Sequence, residues 1–330
     1  MALLNQMIIF FLIMSIGYLI GKKKYIDDKG TKAISWIVVN VANPALILSS
    51  GMGETSLKAN NIVLVLCLAV AVYITLILVS FPVSKVLNVD KPYEEAYSAM
   101  LVFSNIGFMG IPIVSAVYGP DAVIFASLFV FPYNILIYSF GLDRMSGETA
   151  MSDDPKAPGA QSLHSSSKKK AKNTKYTGIK RVFRAFNVGS IACLISITIL
   201  LSGIKMPYVI TKTAGNLGEL TGPLSMLVIG YSISKNKLGE LFTDFKLIIF
   251  LIIKQILVPI AGVIILKLFL QNETLINVCT IMLAAPVGSM VAMMAQESPL
   301  KGPLATKAVA ISTIFSTLTI PFVSDIVCNF

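Results

Sequence analysis

The sequence predicts an all-α polytopic membrane protein of ten transmembrane helices, and three observations carry that prediction. Of 330 residues, 55% are hydrophobic and 13% charged, whereas roughly a quarter of a soluble domain is charged. With a mean hydropathy of +0.79, the apolar side chains outnumber what a protein core can hide and must face lipid. Ten apolar runs punctuate the chain, most of them near the ~20 residues that cross a bilayer core at about 1.5 Å rise per residue. No segment alternates apolar and polar residues as a membrane β-strand does, which excludes a barrel.

The expected spans of the first half run near Leu3 to Ile20, Ile34 to Ser50, Asn61 to Leu87, Tyr93 to Tyr118 and Asp121 to Leu142. Those of the second half run near Asn187 to Ser202, Ile210 to Ile233, Phe245 to Leu270, Leu275 to Ala295 and Leu304 to Val327. The first follows a start without Lys or Arg and ends at Gly21-Lys22-Lys23-Lys24 with no small-residue cleavage pattern. It is expected to be a retained helix, not a signal peptide. The links after spans one, three, five, seven and nine carry about 21 Lys and Arg and the others about 3. By the positive-inside rule both termini are expected outside the cytoplasm. Residues 143–186, with Pro155, Pro158 and the SSSKKK run at 165–170, form the one polar stretch. It is expected to be a disordered cytoplasmic loop, either a solvated linker or a patch for anionic lipid.

Enzyme chemistry has little material here. The single histidine, His164, lies in that loop, so histidine zinc sites and Ser-His-Asp triads are excluded. Cys67, Cys193, Cys279 and Cys328 have no CxxC spacing and are expected to be free, buried thiols. No Walker-type nucleotide loop occurs. Neither a cofactor nor a metal nor a nucleic-acid partner is expected, and the partners in prospect are a small solute, a coupling ion such as H⁺ or Na⁺, and the bilayer.

Sliding residues 187–330 onto 1–142 at an offset of about 180 brings the punctuation into register. Pro44 in NPALILSSG meets Pro223 in GPLSMLVIG, Gly107 meets Gly288, and Gly119-Pro120 meets Gly302-Pro303. Each half holds five spans, an odd number, so the second copy enters the membrane from the opposite side and makes an inverted repeat, an architecture suited to alternating access. In each half the fourth span is irregular. Asn105, Gly107, Gly110 and Pro112 crowd one, and Pro286 and Gly288 interrupt the other. Backbone unwound at membrane depth is tolerated only in a cavity or within protein. Two breaks at matching positions therefore predict broken helices four and nine that cross at a central site, where half-helix N-termini would seat a carboxylate.

The strings NVANPALILSSG at 40–51, SNIGFMGIPIVSAVYGPDA at 104–122 and APVGSMVAMMAQESPLKGPLATKAVAISTIFSTLTIPF at 285–322 resemble the auxin efflux carrier family of membrane permeases. That family includes plant auxin exporters and bacterial malate or malonate permeases, within the superfamily of bile-acid transporters. The resemblance implies a five-plus-five inverted repeat in which spans one, two, six and seven form a scaffold and the other six move as an elevator. It implies that Asn105 contacts the substrate carboxylate, that Pro112 and Pro286 are the crossing prolines, and that a homodimer forms through spans two and seven. The central loop is far shorter than the phosphorylated loops of the plant exporters.

The expected substrate-lining residues are thus Asn105, Gly107, Pro112, Pro286, Gly288 and Ser289. Ser312, Thr313, Ser316 and Asn134 either add polar contacts there or glue helices together. An ionisable group inside a span costs about 2.5 to 3.5 kcal/mol and asks for a partner or a purpose. Lys254 either snorkels or serves transport, by pairing or by attracting an anion. Glu219 either pairs with Lys254 or carries a proton, or else lies at the water interface, where Lys307 and Asp325 are expected. The leading expectation is a secondary carrier of a small organic anion in the plasma membrane. The alternatives are a sodium-coupled bile-acid-type symporter and a non-transporting sensor on the same fold.

Overall fold

A computed structural model of the chain describes residues 2–52, 59–145, 188–235, 239, 244–295 and 298–329. The expected loop beyond Met145 lies outside the described residues, as do positions 53–58. Everything described is helix or short connection, with one isolated antiparallel bridge, Ser104 to Val287.

The helices are α1 (Ala2–Lys22), α2 (Asp28–Gly51), α3 (Ala59–Val86), α4 (Lys91–Val102), α5 (Ile106–Tyr118), α6 (Asp121–Met145) and α7 (Val188–Ser202). There follow α8 (Tyr208–Glu219), α9 (Thr221–Ser234), α10 (Phe245–Lys267), α11 (Glu273–Ala284), α12 (Ser289–Met294) and α13 (Lys301–Asn329). Their starts are written in short polar side chains. Asp27 accepts from the Gly30 N–H, Asp244 from Leu247 and Asn272 from Leu275, each satisfying a donor that the first turn leaves open.

Three of the four π-turns among the described residues stand just ahead of a proline, and the fourth, Ile137–Gly141, does not. A π-turn at Val38–Ala42 precedes Pro44, another at Ile106–Gly110 precedes Pro112, and a third at Ile253–Leu257 precedes Pro259. A proline inside a helix lacks the N–H for its own turn and crowds the carbonyl four residues back, and a widened turn relieves that crowding without ending the helix.

Among the described residues, six helices are long and apolar enough to cross a membrane: α1, α2, α6, α10 and most of α3 and α13. The rest of the expected spans are built differently. Span four divides into α4 and α5, span seven into α8 and α9 at Leu220, and span nine into α11 and α12, while α7 is a single helix of 15 residues.

Helices α1 and α9 pack backbone to backbone. A methyl group added at Gly230 would lie 2.0 Å from the Met14 carbonyl oxygen, and one at Gly17 would lie 2.4 Å from that of Leu227. Small residues let membrane helices approach this closely, because lipid supplies no hydrophobic drive for association. The second half of α2 packs in the same way on α7 and α8: Gly51 abuts Ser196 and Gly218 abuts the Leu46 backbone. Helices α3, α4 and α6 gather on one another, and α10, α11 and α13 pack on one another.

Polar contacts join several of the helix ends. Lys235 pairs with Asp28, Lys246 donates to the Asn88 carbonyl at 2.8 Å, and buried Lys301 joins Glu95 to the Arg144 carbonyl.

Cys193 and Cys279 are free and buried as expected, but Cys67 is exposed on α3. In a membrane protein the outer face is as apolar as the core, so hydropathy does not tell an inward thiol from an outward one.

Candidate functional site: two broken helices joined by a short backbone seam

Helix α4 stops at Val102 because the chain becomes extended at Phe103, and α11 stops at Ala284 because Ala285 is extended ahead of Pro286. A residue before proline is pushed out of the helical region, which explains the second break. The two open segments satisfy each other. The Asn105 N–H donates to the Pro286 carbonyl at 2.7 Å, and the Gly288 N–H to the Phe103 carbonyl at 2.9 Å. Space at Gly288 is tight: an added methyl would lie 3.0 to 3.2 Å from the Phe103 and Ser104 carbonyl oxygens and the Tyr133 hydroxyl, which would have to give by a few tenths of an ångström. A further bond, from the Val287 N–H to Ser312 Oγ at 3.1 Å, fastens the seam to α13.

Asn105 is buried, and its side-chain nitrogen donates across the seam to Ser289 Oγ at 3.3 Å. It makes no side-chain cap on α5. Its carbonyl instead accepts from both Met109 and Gly110 at 3.1 Å. With the following turn closed in this way, the N–H groups of Gly107 and Phe108 have no partner among the described residues. Such open donors carry the positive end of the helix dipole. Gly107, Phe108, Ser289 and Met290 are half-buried, so the seam is not sealed on that side.

Other unanswered polar atoms surround α5. Asn43, just after the π-turn of α2, holds its amide nitrogen 3.5 Å from the Gly107 carbonyl, at the long limit of a hydrogen bond. Its Oδ1 is buried without a partner, as are Thr221 Oγ1 and Ser225 Oγ of α9, the helix that packs on Ile106–Gly110.

Lys254 sits in the π-turn of α10 and is 1% exposed, so it does not snorkel. Its Nζ donates to Ser104 Oγ at 2.8 Å and to the Ala285 carbonyl at 3.2 Å, one contact on each broken segment. The pairing with Glu219 does not form: Glu219 is exposed at the end of α8, and among the described residues no carboxylate lies within 4.0 Å of Lys254.

Of the expected site residues, Asn105, Pro286, Gly288 and Ser289 come together at the seam, with Gly107 on the next turn. Pro112 lies further along α5, buried, with its side chain beside Gly222 of α9. Asn134 bonds Ser190 at 2.8 Å, Thr313 bonds the Val309 carbonyl at 2.7 Å and Ser316 the Thr313 carbonyl at 2.6 Å. The first joins α6 to α7, and the other two are bonds within α13. Ser104 and Asn43 were not legible as site residues, since a lone serine or asparagine in an apolar run carries no spacing signal.

The model of one family, described as membrane transport protein, matches residues 2–324. The chain belongs to that family. The membrane transport protein family is that of the auxin efflux carriers, and its members are transporters rather than enzymes, so this chain is a multi-pass membrane protein of transport. No curated protein matches the chain. Within this membrane transport protein, open backbone donors, an amide and a buried ammonium all lie at or beside the seam between the two broken helices.

Proposed function

We propose that this protein is a secondary transporter of a small organic anion, a carboxylate, bound at the start of α5 beside Asn105. The observation that carries the proposal is the pair of open N–H groups at Gly107 and Phe108 next to the Asn105 amide. Backbone donors and an amide can hold a carboxylate without placing a net charge in the membrane, which suits a site that must also release its anion. Ser289 and the partnerless oxygens of Asn43, Thr221 and Ser225 add polar capacity for the remainder of the solute.

The ten-span, five-plus-five inverted repeat belongs to the same proposal, with α1, α2, α7, α8 and α9 as its scaffold and the remaining helices as the moving part. In its support, the scaffold helices interlock at Gly17, Gly51, Gly218 and Gly230, where backbones touch. The outer apolar faces of α2 and α8, with Trp36, Val39, Tyr208 and Val209 exposed, would meet lipid and a second copy in a homodimer.

A counterflow assay in liposomes tests the substrate. Protein loaded with one of a series of dicarboxylates, monocarboxylates or aromatic acids is expected to exchange at least one class, and no exchange by any anion in folded protein refutes the proposal. Topology is tested separately. In a background without the four native cysteines, Ser166→Cys and Glu54→Cys are expected to react with an impermeant thiol reagent from opposite sides of the membrane. Labelling of both from outside intact cells would contradict ten spans.

A further inference from the structure

Among the described residues Lys254 has partners but no counter-charge. Its ammonium touches one oxygen on each broken segment, Ser104 Oγ beyond the end of α4 and the Ala285 carbonyl at the end of α11. A helix C-terminus carries roughly half a negative elementary charge, so the two ends meeting here sum to about one. The one ammonium among them is that of Lys254, and it is buried. Helices α11 and α13 cover the π-turn that carries it. Their charged residues, Glu273, Lys301, Lys307 and Asp325, make no ion pair with it among the described residues. Both acceptors are oxygens of the kind that coordinate hard cations. The π-turn at Ile253–Leu257 widens α10 where Lys254 reaches the seam, and such turns recur at functional sites.

We propose that Lys254 is a tethered cation occupying a monovalent-cation position between two helix C-termini, so that the carrier, on the reading proposed above, turns over without sodium. A free ion at this place would have to be bound and released in each cycle. A side chain travels with the seam and keeps its charge balance in every state. The opposite dipole ends, on the α5 side, stay available for the anion.

The test uses the purified full-length protein and needs no substrate. Thermal unfolding midpoints are measured at equal ionic strength in choline, sodium and methylammonium chloride. The wild type is expected to unfold at the same temperature in all three, within about 1 °C. Lys254→Ala is expected to unfold several degrees lower in choline and to recover saturably in sodium or methylammonium. At tenfold the apparent Kd the recovery should be about 3 °C. Lys254→Met, which fills the space without a charge, should be destabilised and not recover. A merely structural lysine would give a loss in Lys254→Ala that no small cation reverses, and that result overturns the proposal. If Lys254→Ala does not fold, the wild type still decides: a saturable sodium shift, or anion exchange accelerated by sodium, overturns the tethered cation. Recovery by cations together with a failure of every anion to exchange would instead refute the transport reading and leave the cation position standing.

Discussion

Replacing Asn105 with alanine is expected to weaken binding of the carried anion about tenfold or more. The change removes one or two hydrogen bonds of roughly 0.5 to 1.5 kcal/mol each, more where the anion makes them charge-assisted, and about 1.4 kcal/mol is a factor of ten. Asn105→Asp is expected to bind worse still at neutral pH, since a carboxylate beside the open donors of Gly107 and Phe108 would take them for itself and repel the solute. Lowering the pH should partly restore binding as the new acid is neutralised. The bond from Asn105 to Ser289 offers a structural alternative, in which the amide only braces the seam. Ser289→Ala separates the two. It removes the brace and leaves the amide, so under the substrate role it should cost less than Asn105→Ala. Equal losses in the two variants, or wild-type affinity in Asn105→Asp at neutral pH, would count against Asn105 as a ligand. Isothermal calorimetry or ligand-induced thermal shift across pH reads all three variants.

The largest effect on folding is expected at Gly230. Its α-carbon faces α1 so closely that even a methyl group would fall 2.0 Å from the Met14 carbonyl oxygen and 2.9 Å from its carbon, both of them backbone. Side chains can turn aside, but a helix backbone moves only as a whole. Gly230→Ala should therefore force α1 and α9 apart and destabilise the protein by roughly 1 to 3 kcal/mol, and Gly230→Leu should give no folded, monodisperse protein. Gly215→Ala is the control. It lies in α8 with open space around the added methyl, where alanine is the better helix former by about 1 kcal/mol, so it should be neutral or mildly stabilising. Size-exclusion profiles and unfolding midpoints in detergent check the series. A well-folded Gly230→Leu would mean that α1 and α9 do not pack as described.

The helical class and the two interruptions were legible because their signals are local. Composition decides between lipid and water, and a proline such as Pro286 unwinds its neighbourhood wherever it sits. The order of Asn105, Gly107 and Pro112 pointed to the right span but not to the residues at which the helix opens, since a proline after a π-turn and a proline at a break look alike in sequence. Lys254 drew attention as a charge in an apolar run, but its partners did not. Ser104 and the Ala285 carbonyl are 150 and 31 residues away, and one of them is a backbone atom with no residue type to notice. The exposure of Cys67 was hidden for a different reason. Where both solvent and core are hydrocarbon, an apolar helix has no amphipathic stripe from which to read its orientation.

The seam constrains which motions are open to the molecule. Its two backbone hydrogen bonds, from the Asn105 N–H to Pro286 and from the Gly288 N–H to Phe103, join the two halves of the chain. A cycle in which those halves swung apart like the leaves of a book would strip both bonds, at a cost for each polar group left without a partner. A cycle that carries the joined pair as one body strips neither. The solute and the ammonium of Lys254 would then ride in the same frame, and the energetic cost of exchange would fall on the surface along which that body slides.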